Sequence, residues 1–130
     1  MLSNKEKRYL QIARKMANKN SHEQFSHGAV LVKGGSIISF AFNKNKVSSF
    51  ASRFRDCERD GFATRHAELS CVLNLNRSQT EGAIIYCVRV GKGGTLRMSK
   101  PCDMCLKALQ FTGVKKVVYS TGNGYSEIRP

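Results

Sequence analysis

The sequence lacks any apolar run long enough to cross a membrane. Its longest apolar stretches, such as residues 83–88, are far shorter than the roughly 20 residues of a bilayer-spanning helix. Met1 leads into a charged, periodic segment rather than into the apolar region of a signal peptide. We therefore expect a cytoplasmic protein with no membrane partner.

Tracts rich in Pro, Gly or Ser, which mark linkers, are also missing, and so are internal repeats. The length of 130 residues is that of one domain with a real core. The sequence therefore predicts a single domain over residues 1–130.

Acidic residues are scarce. Nine Asp plus Glu against 22 Lys plus Arg give a formal net charge of +13. The basic residues are spread along the chain, so no single block marks a nucleic-acid-binding tail. The charge favours an anionic partner such as a nucleotide phosphate, RNA or DNA, and the alternative is a basic surface that aids solubility.

The number of cysteines is odd, and nothing in the sequence indicates secretion. Five are present, at positions 57, 71, 87, 102 and 105. Reduced thiols and metal binding are therefore more plausible than a disulfide framework. Cys71 and Cys87 lie in apolar runs and are predicted to be core residues.

The first part of the chain predicts a helix and a hairpin. Residues 3–6 fit a capping box, and the helical spacing of the apolar residues that follow ends near Asn18. Residues 28–33 and 36–42 flank Gly34-Gly35, which is typical of a β-hairpin. Periodicity then fails over residues 43–63, which predicts a long loop.

The second part alternates helices and strands. Thr64 is a predicted N-cap that places His66 and Glu68 in the first turn of a helix. Strands are predicted over 82–88 and 114–120, with a short last strand near 125–129. A helix is predicted to begin at Pro101 and end at Gly113. This alternation predicts an α/β fold with helices on both faces of a sheet.

Two short motifs carry the chemistry. His66-Ala67-Glu68 supplies an imidazole and a carboxylate, and Pro101-Cys102-Asp103-Met104-Cys105 supplies two thiols. A catalytic zinc takes three protein ligands and keeps its fourth position for water, whereas a structural zinc closes all four. His66, Cys102 and Cys105 are therefore the predicted ligands of one catalytic zinc ion.

Glu68 stands two residues from His66, close enough to reach the zinc-bound water without being a ligand. It is predicted to carry protons from that water to the substrate. Zinc hydroxide would attack the carbon that bears an exocyclic amine, and ammonia would leave. The spacing of both motifs is the signature of zinc nucleobase deaminases.

The sequence closely resembles the zinc-dependent cytidine and deoxycytidylate deaminase superfamily. Within that superfamily it most resembles the deoxycytidylate (dCMP) deaminases. The match covers both motifs, residues 28–32 as a first strand, and residues 113–119 as the strand after the second zinc helix. The resemblance implies a three-layer α-β-α sandwich with a mixed, largely parallel sheet of about five strands. It also implies self-association and a cytosine nucleotide or nucleoside substrate attacked at C4.

The resemblance also implies substrate-binding residues. Asn43 stands where the family contacts the sugar, although turn chemistry after a strand also explains it. Backbone groups at Ala67 match those that hold the base edge, and Ser99-Lys100 lies at the expected pocket lip. Arg65, or the basic residues of the long loop, is expected near a phosphate. Relatives continue beyond the position of Pro130 into elements that help to fix substrate choice.

Three alternatives stay open. The charge also permits a deaminase that acts on a base within tRNA or single-stranded DNA. A zinc-stabilised nucleic-acid-binding module without catalysis is a non-enzymatic alternative. Cys57 with His22 or His27 is a candidate second zinc site, but one thiol and two distant imidazoles are thin evidence, so we expect one ion.

Overall fold

The computed structural model describes residues 2–17, 26–42, 71–72, 75–91 and 95–130. The predicted loop over residues 43–63 and the predicted helix start at Thr64 lie outside these ranges. So do Asn43, Arg65, His66, Ala67 and Glu68 among the predicted site residues.

The first helix, α1 (Asn4–Ala17), begins at the predicted capping box. The backbone N–H of Ser3 donates to Glu6 Oε1, and the N–H of Glu6 donates to Ser3 Oγ, both at 3.1 Å. This reciprocal pair satisfies two backbone donors that a helix start otherwise leaves without partners. Tyr9 and Ala13 are buried, as their helical spacing predicts.

The predicted hairpin is confirmed. Strands β1 (Ser26–Lys33) and β2 (Ser36–Phe42) pair in antiparallel fashion. The turn residues Gly34 and Gly35 have φ values of 61° and 80°. Two successive positive φ angles match the right-handed twist of the strands, and glycine adopts them without strain.

With two additions, a short helix and a short strand, the remaining elements follow the predicted alternation. They are α2 (Arg77–Thr80), β3 (Ile84–Val90), β4 (Leu96–Arg97), α3 (Asp103–Thr112), β5 (Lys116–Ser120) and β6 (Tyr125–Ile128). The short helix α2 and the short strand β4 were not predicted, whereas the short last strand is confirmed as β6. None of the helices in the described ranges is long and apolar enough to cross a membrane.

The strands of these ranges form one mixed sheet in the order β2-β1-β3-β5-β6, with β4 paired to β3. The α/β class and the mixed sheet of about five strands are confirmed, with six strands in the described ranges. The expected largely parallel pairing is corrected, because among these strands only β3 and β5 pair in parallel. Three pairs are joined by short connections, which require antiparallel strands. Strand β1 lies between β2 and β3 and is antiparallel to both, so those two strands run in the same direction without being neighbours.

Two core clusters lie on opposite faces of the sheet. On one face, α1 packs on β-strand side chains that include Val30 and Val88. On the other face, Leu109 of α3 packs with Ile85 and with Cys71. This arrangement confirms the three-layer α-β-α sandwich.

The ends of α3 fix its direction across the sheet. Gly113 closes the helix with a left-handed φ of 83°, and its carbonyl accepts a 2.8 Å hydrogen bond from the N–H of Gly82. The C-terminus of α3 therefore lies beside the start of β3. Ten residues of helix span about 15 Å, so the start of α3 lies over the carboxyl end of β3.

Candidate functional site

The two predicted thiol ligands meet at the start of α3. Cys102 is the N-cap residue with extended backbone angles, φ −72° and ψ 170°, and Cys105 is the third residue of the helix. Their sulfurs are 3.5 Å apart. The prediction that Pro101 begins the helix is corrected to a start at Asp103. The extended backbone of Cys102 turns its side chain back toward Cys105 at the third helical position.

The sulfur separation fits one shared zinc ion. Two sulfurs that each lie about 2.3 Å from a tetrahedral zinc are about 3.8 Å from each other, whereas a disulfide needs about 2.05 Å. The start of a helix also stabilises negative charge, which thiolate ligands carry. The donor set of this structure therefore fits the predicted metal.

Burial differs between the two thiols. Cys105 is 0% exposed and packs with Met104 and Ala108, while Cys102 is partly exposed at the edge of that cluster. The pair lies at the boundary between core and surface.

Only some of the other predicted site residues lie within the described ranges. Lys100 is exposed two residues before Cys102. His66 lies outside the described residues, within which no group of three His, Cys, Asp or Glu side chains suits a metal. Of the candidate second zinc site, His27 lies in β1 opposite Arg89, while Cys57 and His22 are outside the described residues.

The chain just beyond the predicted His66 helix start reaches the same face as α3. Cys71 and Val72 are buried in the cluster that contains Leu109 of α3. The Ser39 hydroxyl in β2 donates to the carbonyl of Cys71 and ties it to the sheet. The described residues that follow the predicted His66 motif therefore pack on the same face of the sheet as α3.

A buried pair of serines supports the segment that leads into Cys102, and sequence analysis missed its role. Ser99 and Ser120 are 3% and 0% exposed. Ser99 Oγ donates to the carbonyl of Cys87 at 3.0 Å and accepts from the N–H of Ser120 at 2.7 Å. Ser120 Oγ donates to the carbonyl of Arg97 at 2.6 Å and accepts from the N–H of Arg89 at 3.0 Å.

These bonds join the ends of β3, β4 and β5 directly before the thiols. The prediction that Ser99 lies at a pocket lip is corrected, because its hydroxyl points into the sheet and only Lys100 is exposed. Sequence analysis missed this contact because Ser99 and Ser120 are 21 positions apart, too far to belong to one short motif. The only sequence signal was the position of Ser99 three residues before the first thiol.

A cavity of about 420 Å³ lies elsewhere. It is lined by residues that include Glu6 of α1 together with Lys116 and Tyr125. These residues belong to the α1 face, opposite the face that carries α3. This cavity is therefore not part of the thiol site.

Comparisons with known proteins agree with the fold and place the chain in a family with a zinc-binding region. Residues 3–121 match the family model described as the cytidine and deoxycytidylate deaminase zinc-binding region. A comparison with curated proteins finds no match.

Among solved structures, the chain is similar to the dCMP deaminase of cyanophage S-TIM5. The apo form matches with a TM-score of 0.60 and 25% identity over 92% of this chain and 84% of that chain. The complex with dCMP and dUMP gives 0.62 and 26% over 92% and 82%. Acinetobacter baumannii RibD shares the fold, with a TM-score of 0.54 and 21% identity over 88% of this chain and 27% of that chain.

Proposed function

Because the chain belongs to the cytidine and deoxycytidylate deaminase family, we propose that it removes the C4 amine of a free cytosine nucleotide, as in the conversion of dCMP to dUMP. Family membership makes the chain a hydrolytic C–N deaminase with a zinc-binding region, and the non-enzymatic alternative is set aside. The phage relative, solved with dCMP and dUMP, supports the nucleotide choice. The proposal depends most on the thiol pair at the start of α3.

His66, Cys102 and Cys105 would hold one zinc ion. When bound, zinc acidifies water and so supplies a strong nucleophile near neutral pH. Cys105 is fixed within the core, and Cys102 is fixed by the backbone that Ser99 anchors. The chain's own contribution is thus a rigid pair of ligands at an accessible edge.

Glu68 is the proposed proton carrier. It would take a proton from the attacking water and deliver it to the ring nitrogen next to C4. A second transfer would protonate the departing amine. Water is thereby added and ammonia is lost, so the cytosine becomes uracil.

Four residues are proposed to hold the substrate. Asn43 would contact the sugar, and the backbone at Ala67 would hold the base edge. Arg65 and Lys100 would lie on the side of the phosphate, and the exposure of Lys100 beside the thiols supports this role. A single domain over residues 1–130, a cytoplasmic location and a homo-oligomer stay predictions.

The test is a screen of the zinc-loaded protein for ammonia release from cytidine, deoxycytidine and their monophosphates. We expect dCMP to react fastest. Glu68→Gln should lower kcat by at least about 100-fold while the zinc content stays unchanged. Glu127→Gln, an exposed position in β6, is the matched control and should retain activity. Full activity of Glu68→Gln, or faster turnover of the nucleosides, would contradict the proposal.

The net charge of +13 favours one second candidate, deamination of a base within tRNA or single-stranded DNA. A polynucleotide substrate would bind in a strongly salt-dependent manner because it releases counterions. Ammonia release from an oligonucleotide that exceeds release from dCMP, and that falls steeply with salt, would favour this candidate.

A further inference from the structure

Two arginines face each other across the hairpin of β3 and β4. Arg89 and Arg97 are direct partners in the antiparallel register. Directly opposed side chains point to the same side of a sheet, and like charges in that position destabilise it. The hairpin therefore places two positive charges together at a cost in stability.

This arginine pair lies on the face and at the end of the sheet where the thiols lie. Ile85 and Cys87 belong to the α3 face, and Arg89 shares it because strand side chains alternate with a period of two. The start of α3 lies over the carboxyl end of β3. The bond from Ser99 Oγ to the carbonyl of Cys87 ties the segment before Cys102 to the same end.

The surroundings hold the two guanidinium groups in place. Arg89 is half-buried, and its Nη1 donates to the carbonyl of Met98 at 3.3 Å. Burial, and secondly the charge of Arg97, lower the pKa of Arg89. Arg97 lies across Gly91, where a β-carbon would come within 2.7 Å of its Nε. No ion pair between Arg97 and an acidic group is found in the described part of the chain.

We propose that Arg89 and Arg97 form the binding subsite for a phosphate group of the substrate. A phosphate between them would offset the repulsion, and guanidinium groups bind phosphate oxygens with paired, charge-assisted hydrogen bonds. The inference rests on the proposed function and adds to it, because it assigns the phosphate to the β3–β4 hairpin as well as to Arg65 and Lys100 of the proposed site.

The test compares kcat/KM for dCMP and for deoxycytidine in the zinc-loaded full chain. Arg97→Gln should lower the value for dCMP by about 10- to 100-fold and leave that for deoxycytidine unchanged. Arg129→Gln is the matched control, because Arg129 is exposed and follows Ile128, which pairs with Val117 at the opposite end of the sheet. An equal loss with dCMP and deoxycytidine, or no loss with either dCMP or a cytosine-containing oligonucleotide, would overturn the subsite.

A third arm identifies the source of the phosphate. If Arg97→Gln selectively impairs a cytosine-containing oligonucleotide instead of dCMP, the subsite holds a phosphodiester of a polymer. If no cytosine compound releases ammonia, the proposed function fails. Calorimetric titration with inorganic phosphate then still tests whether Arg89 and Arg97 bind a phosphate group. Weaker phosphate binding by Arg97→Gln than by Arg129→Gln supports it, and equal binding overturns it.

Discussion

Two serine hydroxyls carry much of the local order around the thiols. The hydroxyl oxygens of Ser99 and Ser120 lie 2.9 Å apart, and each of them bonds to backbone groups, which together belong to three strands. Each hydroxyl both donates and accepts, so polar groups at the strand ends are paired inside the core. Buried groups without partners would cost about 1–3 kcal/mol each.

Ser99→Ala should therefore lower the free energy of unfolding by about 2–4 kcal/mol, because the N–H of Ser120 and the carbonyl of Cys87 each lose the hydrogen bond to Ser99 Oγ. It should also weaken zinc binding, since the segment before Cys102 is no longer anchored. Urea denaturation and competition with a chromophoric chelator measure the two effects. Ser126→Ala, an exposed serine in β6, should change neither, and equal behaviour of the two variants would refute the anchoring role.

At the scale of elements, α3 runs from the site at the carboxyl end of β3 back to the start of β3. Its N-cap is a predicted zinc ligand, and its C-cap is a glycine in the left-handed region. A β-carbon on Gly113 would lie 3.1 Å from the Cα of Glu81. The helix is thus fixed at both ends by residues whose positions the sequence alone reveals.

Gly113→Ala should lower the free energy of unfolding by about 1–3 kcal/mol, because a left-handed conformation is strained for alanine and the new methyl group crowds Glu81. Thermal denaturation followed by circular dichroism measures the effect. Gly122→Ala is the control, since a β-carbon there meets nothing within 4 Å and φ is not left-handed. A stability equal to that of the control would show that the cap is not strained.

At the scale of the whole molecule, a zinc ion would link α3 to the segment of His66. Such a ligand binds only the folded chain and therefore stabilises it. Two ligands from one helix and a third from about 36 positions earlier make the metal a long-range cross-link. Folding and metal content should consequently depend on each other.

Removal of zinc with excess chelator should lower Tm by on the order of 10 °C, as scanning calorimetry can measure. Cys105→Ser should unfold at a lower temperature already and no longer respond to the chelator. Cys87→Ala, which alters a buried core thiol outside the motif, should be destabilised but keep its response. A Tm of the wild-type chain that does not change with chelator would contradict structural coupling to the metal.

The sequence by itself determined the features that depend on neighbours within a few positions. The capping box of α1, the two-glycine turn, the C-cap at Gly113 and the spacing of Cys102 and Cys105 all follow from local backbone geometry. Apolar periodicity likewise predicted which faces are buried. The two motifs predicted the family, which the comparison with known proteins confirmed.

Only the tertiary structure decided how distant segments pair. The placement of β3 beside β1, the strand β4, the contact of Ser99 with Ser120 and the opposition of Arg89 and Arg97 all depend on strand order and register. Register is set by the burial of whole strand faces and by the closure of turns, so no short window of sequence contains it. The resulting site combines ligands that can be read locally with supporting residues that become neighbours only when the sheet forms.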